Sequence, residues 1–346
     1  MLLKRKSRLL ITLVTAIILS VSLILAIMIG ASDISISSTV DGIFYAFGTS
    51  DSSPTDVDLQ IISEIRIPRA LLGATIGAGL AICGLITQSL LRNPLGDPYI
   101  LGISSGASAG AALVIVVGAS NTLLASLGVT LGAFFGALIA IAAVSFLATA
   151  GGDASPTRII FAGMAVSYLF SALTSLIAIL AKNAAGTKSV MFWTLGSLGS
   201  ASWNDVGIAS ITTSIAFILF FVFGRRIDVL NLGDDSARAL GTHPAFYRNL
   251  LFIIVAFTIA VLVSLTGAIG FIGLVVPHLA KLLVGEMTRC ALPLTALLGA
   301  ILGAILVVNA DICTRIMLRP AELPIGILTA IVGTPMLMVL IKKSAS

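Results

Sequence analysis

The sequence predicts an all-α polytopic membrane protein of about ten transmembrane helices, and three observations predict it. Of the 346 residues, 58% are apolar and 10% charged, against roughly 25% charged in soluble domains. Apolar stretches that approach or exceed the roughly twenty residues needed to cross a ~30 Å hydrocarbon layer recur along the whole chain. These runs are continuous, without the alternation of a membrane barrel, and a bilayer requires each crossing to satisfy its own backbone polar groups.

With glycine, proline and charge as punctuation, ten spans fall near 9–30, 67–91, 99–118, 123–149, 159–181, 206–223, 249–265, 270–285, 293–310 and 325–341. The first run follows Lys4-Arg5-Lys6 and has the outline of a signal peptide. Its length and the lack of an A-x-A-like site beyond Gly30 favour an uncleaved span. The seventh and eighth spans are joined only by a tight connection, Gly267-Ala268-Ile269-Gly270-Phe271-Ile272-Gly273.

An even number of spans puts both termini on one side. If that side is the cytoplasm, its segments hold 14 of the 20 basic residues, while the first outer loop carries Asp33, Asp41, Asp51, Asp56, Asp58 and Glu64. That asymmetry follows the positive-inside rule and predicts cytoplasmic ends. The formal charge of +5 is explained by this placement; no stripe of basic and aromatic residues points to nucleic acid.

Other chemistries find little support. Cys83, Cys290 and Cys313 fall in or beside apolar runs without C-x-x-C spacing and read as thiols, neither a disulfide framework nor a metal site. His243 and His278 lie beside prolines in different segments and read as structural. There is no G-x-x-x-x-G-K-[ST] phosphate cradle and no nucleophile, base and oxyanion-donor set. Any nucleotide chemistry that the protein depends on must come from another subunit.

The most informative stretch is Arg66 to Ala111, RIPRALLGATIGAGLAICGLITQSLLRNPLGDPYILGISSGASAGA. Pro68 suits the first turn of a helix, where its missing N–H costs nothing, and it holds Arg66 and Arg69 at the outer mouth. Two guanidiniums there either form a cationic patch for carboxylates or anchor at lipid headgroups. At the inner end, Asn93-Pro94 and Asp97-Pro98 bracket a polar turn, since residues before proline avoid helical geometry. The small residues from Gly102 to Gly110 then either line an aqueous path or pack against a neighbour. Gly73-x-x-x-Gly77 and Gly132-x-x-x-Gly136 allow close helix approach, for which packing within the chain is the ordinary reading.

This stretch resembles the FecCD family of ABC permeases, and the resemblance continues in order. It takes in Phe192 to Leu198, Asn231 to Gly241, Gly267 to His278, Ala310 to Arg315, and Glu322 to Pro335. It implies a type II ABC importer permease fold over 1–346 as a single transmembrane domain, with a cytoplasmic coupling loop at 225–248. The short segment Asp234, Asp235, Ala237, Arg238, Leu240, Gly241 would be the coupling helix seated in an ATPase. Ala237 and Leu240 would be its buried contacts and Arg238 a charged one; the bland alternative is a solvated connector.

The resemblance further implies that Arg66, Arg69 and Arg315 receive acidic residues of an extracytoplasmic substrate-binding protein. Arg319, beside Pro320, is a further basic residue whose role the family pattern does not supply. Asn93 and Leu95 would form one cytoplasmic gate loop, and Ser155, Pro156 and Thr157 the other, with Pro156 standing where a small hydroxyl residue is expected. Trp193 and the segment 183–204 suit an aromatic belt or a short helix flanking the pathway.

The implied partners are cytoplasmic ATPase subunits holding ATP and Mg, a second permease copy or paralogue, and membrane lipid. No cofactor or metal would be bound by this chain, whose place is a prokaryotic plasma membrane. The implied cargo is an iron chelate, a ferric siderophore first, with haem or cobalamin as alternatives. An ion-coupled secondary transporter is the rival from another class. It would be expected to carry intramembrane carboxylates, yet the acidic residues lie almost wholly in predicted loops, with Asp311 near a span end.

Overall fold

The computed structural model describes residues 5–30, 34–46, 57–118, 122–150, 155–181, 183–284, 291–319 and 321–344. Lys4, Asp33, Asp51, Asp56, Cys290 and Pro320, all weighed in the sequence, lie outside the described residues. Every regular element among the described residues is helical.

The chain runs through α1 (Arg5–Met28), a short α2 (Ile36–Ala46), and α3 (Val57–Gln60), which leads through a π-helical stretch, Ile61–Arg66, into α4 (Ile67–Leu91). A 3₁₀ turn at Pro98–Leu101 precedes α5 (Ile103–Val117), and α6 (Thr122–Thr149) is bent at Gly128. Then come α7 (Pro156–Ile179), the short α8 (Ala184–Leu195), α9 (Trp203–Asn231) and the six-residue α10 (Asp234–Ala239). The last four are α11 (Pro244–Thr266), α12 (Ile272–Val284), α13 (Ala291–Met317) and α14 (Ile325–Ser344).

Each predicted span overlaps one of these helices. By length and hydropathy, 7 of the described helices can cross a bilayer unaided. The predicted third, eighth and tenth spans are shorter apolar stretches, Ile103–Val117, Ile272–Val284 and Ile325–Val339. Large apolar side chains cover much of the outside, as at Leu9, Ile17, Phe161, Tyr168, Ile211 and Val332. A water-facing surface could not carry so much apolar area.

Pro68 does not begin a span. The helix continues from Val57 to Leu91, and the π turn just before Ile67 absorbs the irregularity that a proline imposes on a helix ladder. The Arg66 end of this helix therefore reaches two to three turns further than hydropathy indicated.

Small residues set the closest packing. A Cβ on Gly77 would overlap the backbone of Gly303 in α13, and Cβ atoms on Gly132 and Gly136 would overlap Gly110, Val114 or Gly106 across the α5–α6 contact. Both glycine pairs read from the sequence thus pack within the chain.

One face of the bundle gathers the end of α4, α10 and the start of α11; we call it the α10 face. At the other, the end of α1 meets Arg66 and Arg315. The loops between α8 and α9, α11 and α12, and α13 and α14 knit together. Ser197 N–H donates to Thr266 C=O at 2.8 Å, and Ile325 N–H to Gly196 C=O at 3.0 Å. Such bonds satisfy irregular backbone that lipid could not.

Candidate functional site

The α10 face is built around a break in helix geometry. Gly233, at φ 105°, turns the chain out of α9 and Gly241, at φ 72°, turns it back. Both angles lie where an L side chain is strained. Between them Asp234 and Asp235 occupy the first turn of α10, the end at which a helix dipole favours negative charge. Ala237 is fully enclosed by its own chain, and its carbonyl accepts from Thr242 N–H at 2.9 Å. Thr242 in turn accepts from Arg226, whose guanidinium lies over the Tyr247 ring at 5.2 Å.

The two carboxylates of α10 face opposite ways. Asp235 is in solvent and pairs with Arg238 at 3.2 Å, a surface bridge of small consequence. Asp234 turns inward. Its Oδ1 accepts from Arg248 Nη2 at 2.6 Å and also from Arg92 Nη2. Arg92 is the left-handed residue that ends α4, at φ 49° and ψ 38°, and its Nε donates to Leu230 C=O at 3.0 Å. Burial, and secondarily the charge of Arg248, depress the pKa of Arg92.

Immediately after Arg92 comes the first predicted gate loop. Asn93 Oδ1 accepts from Leu95 N–H at 2.9 Å, closing a tight side-chain turn. The chain then climbs into the bundle, where the Pro98 ring lies against Gly273 at the start of α12 and Tyr99 Oη accepts from Ile269 N–H at 3.0 Å. The second predicted gate loop ends in a conventional helix start. Ser155 Oγ accepts from Arg158 N–H at 3.3 Å, and Pro156 sits in the first turn of α7 with Thr157 exposed beside it. Pro156 therefore has a local explanation, since its absent N–H is not needed there.

At the opposite face the sequence reading needs correction. Arg66, Arg69 and Arg315 are 3%, 6% and 4% exposed, so they form no open cationic patch. Arg66 donates to Ile27 and Met28 C=O, and Arg315 to Ala26 and Ile29 C=O, at 2.8–3.0 Å. Both thus serve the free carbonyls at the end of α1. Arg69 is gripped on two sides, by Asp311 through Nε and Nη2 and by Glu322 through Nη1 and Nη2. Arg319 remains exposed and donates to Gly30 C=O at 2.7 Å. Asp311, expected near a span end, is buried within α13 and also lies 3.1 Å from Arg315.

Trp193 is placed on α8, half-buried against the core, while Trp203 at the start of α9 donates to Ser63 C=O at 3.0 Å. The segment 183–204 is thus a short helix that turns back at Gly196 (φ 75°). Sequence reasoning missed Arg92, Arg248 and Glu322. The first two are among the 14 basic residues assigned to the cytoplasmic segments, and the available signal was their position at helix ends near a twin-acid segment.

A family model described as the FecCD transport family matches residues 18–343. The chain belongs to the FecCD transport family. Among its relatives, the Fe(3+)-citrate import system permease protein YfmD of Bacillus subtilis (strain 168) is 37% identical over 98% of this chain and 96% of its own length. The hemin transport system permease protein HmuU of Yersinia pestis is 37% identical over 85% of this chain and 86% of its own. A solved structure described as a metal-chelate type ABC transporter in an inward-facing conformation aligns with a TM-score of 0.79 and 29% identity, covering 96% of this chain and 99% of its own. A FecCD chain is a multi-span ABC importer permease, a transport component.

Proposed function

We propose that this chain is the permease of a binding-protein-dependent importer of iron chelates, with ferric siderophores as the first expectation and haem or cobalamin as the alternative cargoes. Two permeases, copies or paralogues, enclose the passage between them, and each rests on a separate ATPase that holds the nucleotide and its magnesium. This chain contributes no metal ligand, because a tightly held cargo would be released slowly. The α10 face is cytoplasmic, in keeping with the basic residues that follow the positive-inside rule.

The observation that carries the reading is α10 itself. A six-residue helix between two long spans has no part in crossing a bilayer, yet Ala237 seats it firmly while Leu240, Arg238 and Asp235 are exposed around it. We read Asp235, Arg238 and Leu240 as the surface offered to the ATPase, Asp234 and Ala237 as the internal seat, and Gly241 as the turn that closes the helix. Asn93, Leu95, Ser155, Pro156 and Thr157 belong to the inner gate loops. Arg66, Arg69 and Arg315 act at the docking face by ordering the end of α1 and the α13–α14 loop; the binding protein meets that ordered rim.

Uptake of radiolabelled iron by proteoliposomes holding the permease, its ATPase and its binding protein tests this. ATP-dependent, vanadate-sensitive uptake of ferric citrate or a ferric hydroxamate is expected. Uptake that persists without the ATPase under a proton gradient overturns the importer reading, and uptake of haem or cobalamin alone overturns the cargo.

A further inference from the structure

We propose that Asp234 is a transmission residue, which passes displacement of α10 to the inner gate loop through Arg92 and to the core through Arg248. This rests on the importer reading and adds a division of labour to it: of the adjacent acids, Asp235 faces the motor and Asp234 faces the gate.

Three features point to this. First, Arg92 is the hinge between α4 and the Asn93–Leu95 loop, since its left-handed backbone ends the helix and the next residue opens the turn. Whatever holds its guanidinium sets the direction in which that loop leaves. Second, the guanidinium is held by Leu230 C=O and the Asp234 carboxylate, which lie on the two sides of the Gly233 bend between α9 and α10. Third, the Arg248 side chain is 2% exposed and its carboxylate partner is again Asp234. A buried cation that loses its carboxylate is strongly disfavoured, so α11 must follow α10 or the pair must break. The Asp234 carboxylate and the Arg92 guanidinium that it holds therefore join four elements, α4, α9, α10 and α11, at the root of the gate loop. A solvated connector would not require such a link.

The coupling is measured as iron delivered per ATP hydrolysed, in proteoliposomes containing the whole transporter. Asp234→Asn is expected to keep the ATPase bound and hydrolysing but to lower delivery per ATP by about tenfold, and Asp234→Glu to restore most of it. Arg92→Gln is expected to act alike, with Arg92→Lys milder. The Arg92→Gln, Asp234→Asn double variant is expected to be no worse than Asp234→Asn, because members of one unit do not add. Asp235→Asn is expected to show the converse, weaker ATPase retention with unchanged delivery per ATP in the complexes that remain.

The proposal is overturned if Asp234→Asn loses the ATPase while delivery per ATP is unchanged, or if the two single losses multiply in the double variant. Should Asp234→Asn not accumulate in the membrane, Arg92→Gln decides alone, and normal delivery per ATP in it overturns the proposal. Absence of ATP-driven uptake in the unaltered transporter would instead be a failure of the importer reading.

Discussion

Arg69 and Asp311, 242 positions apart in the chain, meet inside the bundle as a two-pronged ion pair with Nε and Nη2 of the arginine facing one carboxylate. That pair joins α4 to α13, and Glu322 on the far side of the same guanidinium adds the α13–α14 loop. Buried charges of this kind do little to raise stability as a set, but removal of one member leaves the others exposed to a large desolvation cost.

The two acids of this cluster should therefore differ when neutralised. Asp311→Asn takes the carboxylate from both Arg69 and Arg315 and is expected to cost roughly 3–5 kcal/mol, with loss of folded protein. Glu322, whose side chain is 37% exposed, leaves Arg69 still paired, so Glu322→Gln is expected to cost about 1 kcal/mol or less. Thermal unfolding in detergent, followed by fluorescence-detected size exclusion, separates them. Equal midpoints for the two variants would mean that the cluster is not organised as described.

Helix packing gives a second contrast. Gly77→Leu places side-chain bulk against the Gly303 backbone, where neither helix can yield without separating, and is expected to abolish the folded peak. Gly207 has open space where its Cβ would go, so Gly207→Ala in α9 is expected to be neutral or to stabilise by up to about 1 kcal/mol. A folded, monodisperse Gly77→Leu protein would contradict the α4–α13 contact.

A third contrast separates seat from surface in α10. Ala237→Leu has no room, because Ala237 is fully enclosed within its own chain; overpacking of this kind costs about 1–3 kcal/mol and should lower the melting midpoint of the isolated permease. Leu240 is 60% exposed, so Leu240→Asp should leave that midpoint unchanged while the ATPase no longer co-purifies. If Ala237→Leu melted normally and only released the ATPase, Ala237 would belong to the interface after all.

Much of the fold was legible in order along the chain. Hydropathy located a helix for each of the ten predicted spans, the glycine spacings marked real close contacts, and the Asp234–Gly241 segment was recognised as a short helix because its acids, its closing glycine and its polarity are all local signals. The misreadings concern charges. Arg66, Arg69 and Arg315 looked like a docking patch because they stand near span ends, and Asp311 looked peripheral because it stands near one too. Nothing in a window of sequence reveals that Arg66 and Arg315 finish α1, or that Arg69 lies between Asp311 and Glu322.

What the amino-acid order settled by itself is the partition of each segment between lipid and water, and hence an all-helical membrane bundle, because transfer free energy is a sum over neighbouring residues; the family lay in the ordered motifs from Arg66 to Pro335. What only the tertiary structure decided is the partner of each charge and the inward turn of Asp234. Those depend on how helices far apart in sequence cross, and a guanidinium takes whatever acceptor that crossing brings within 3 Å.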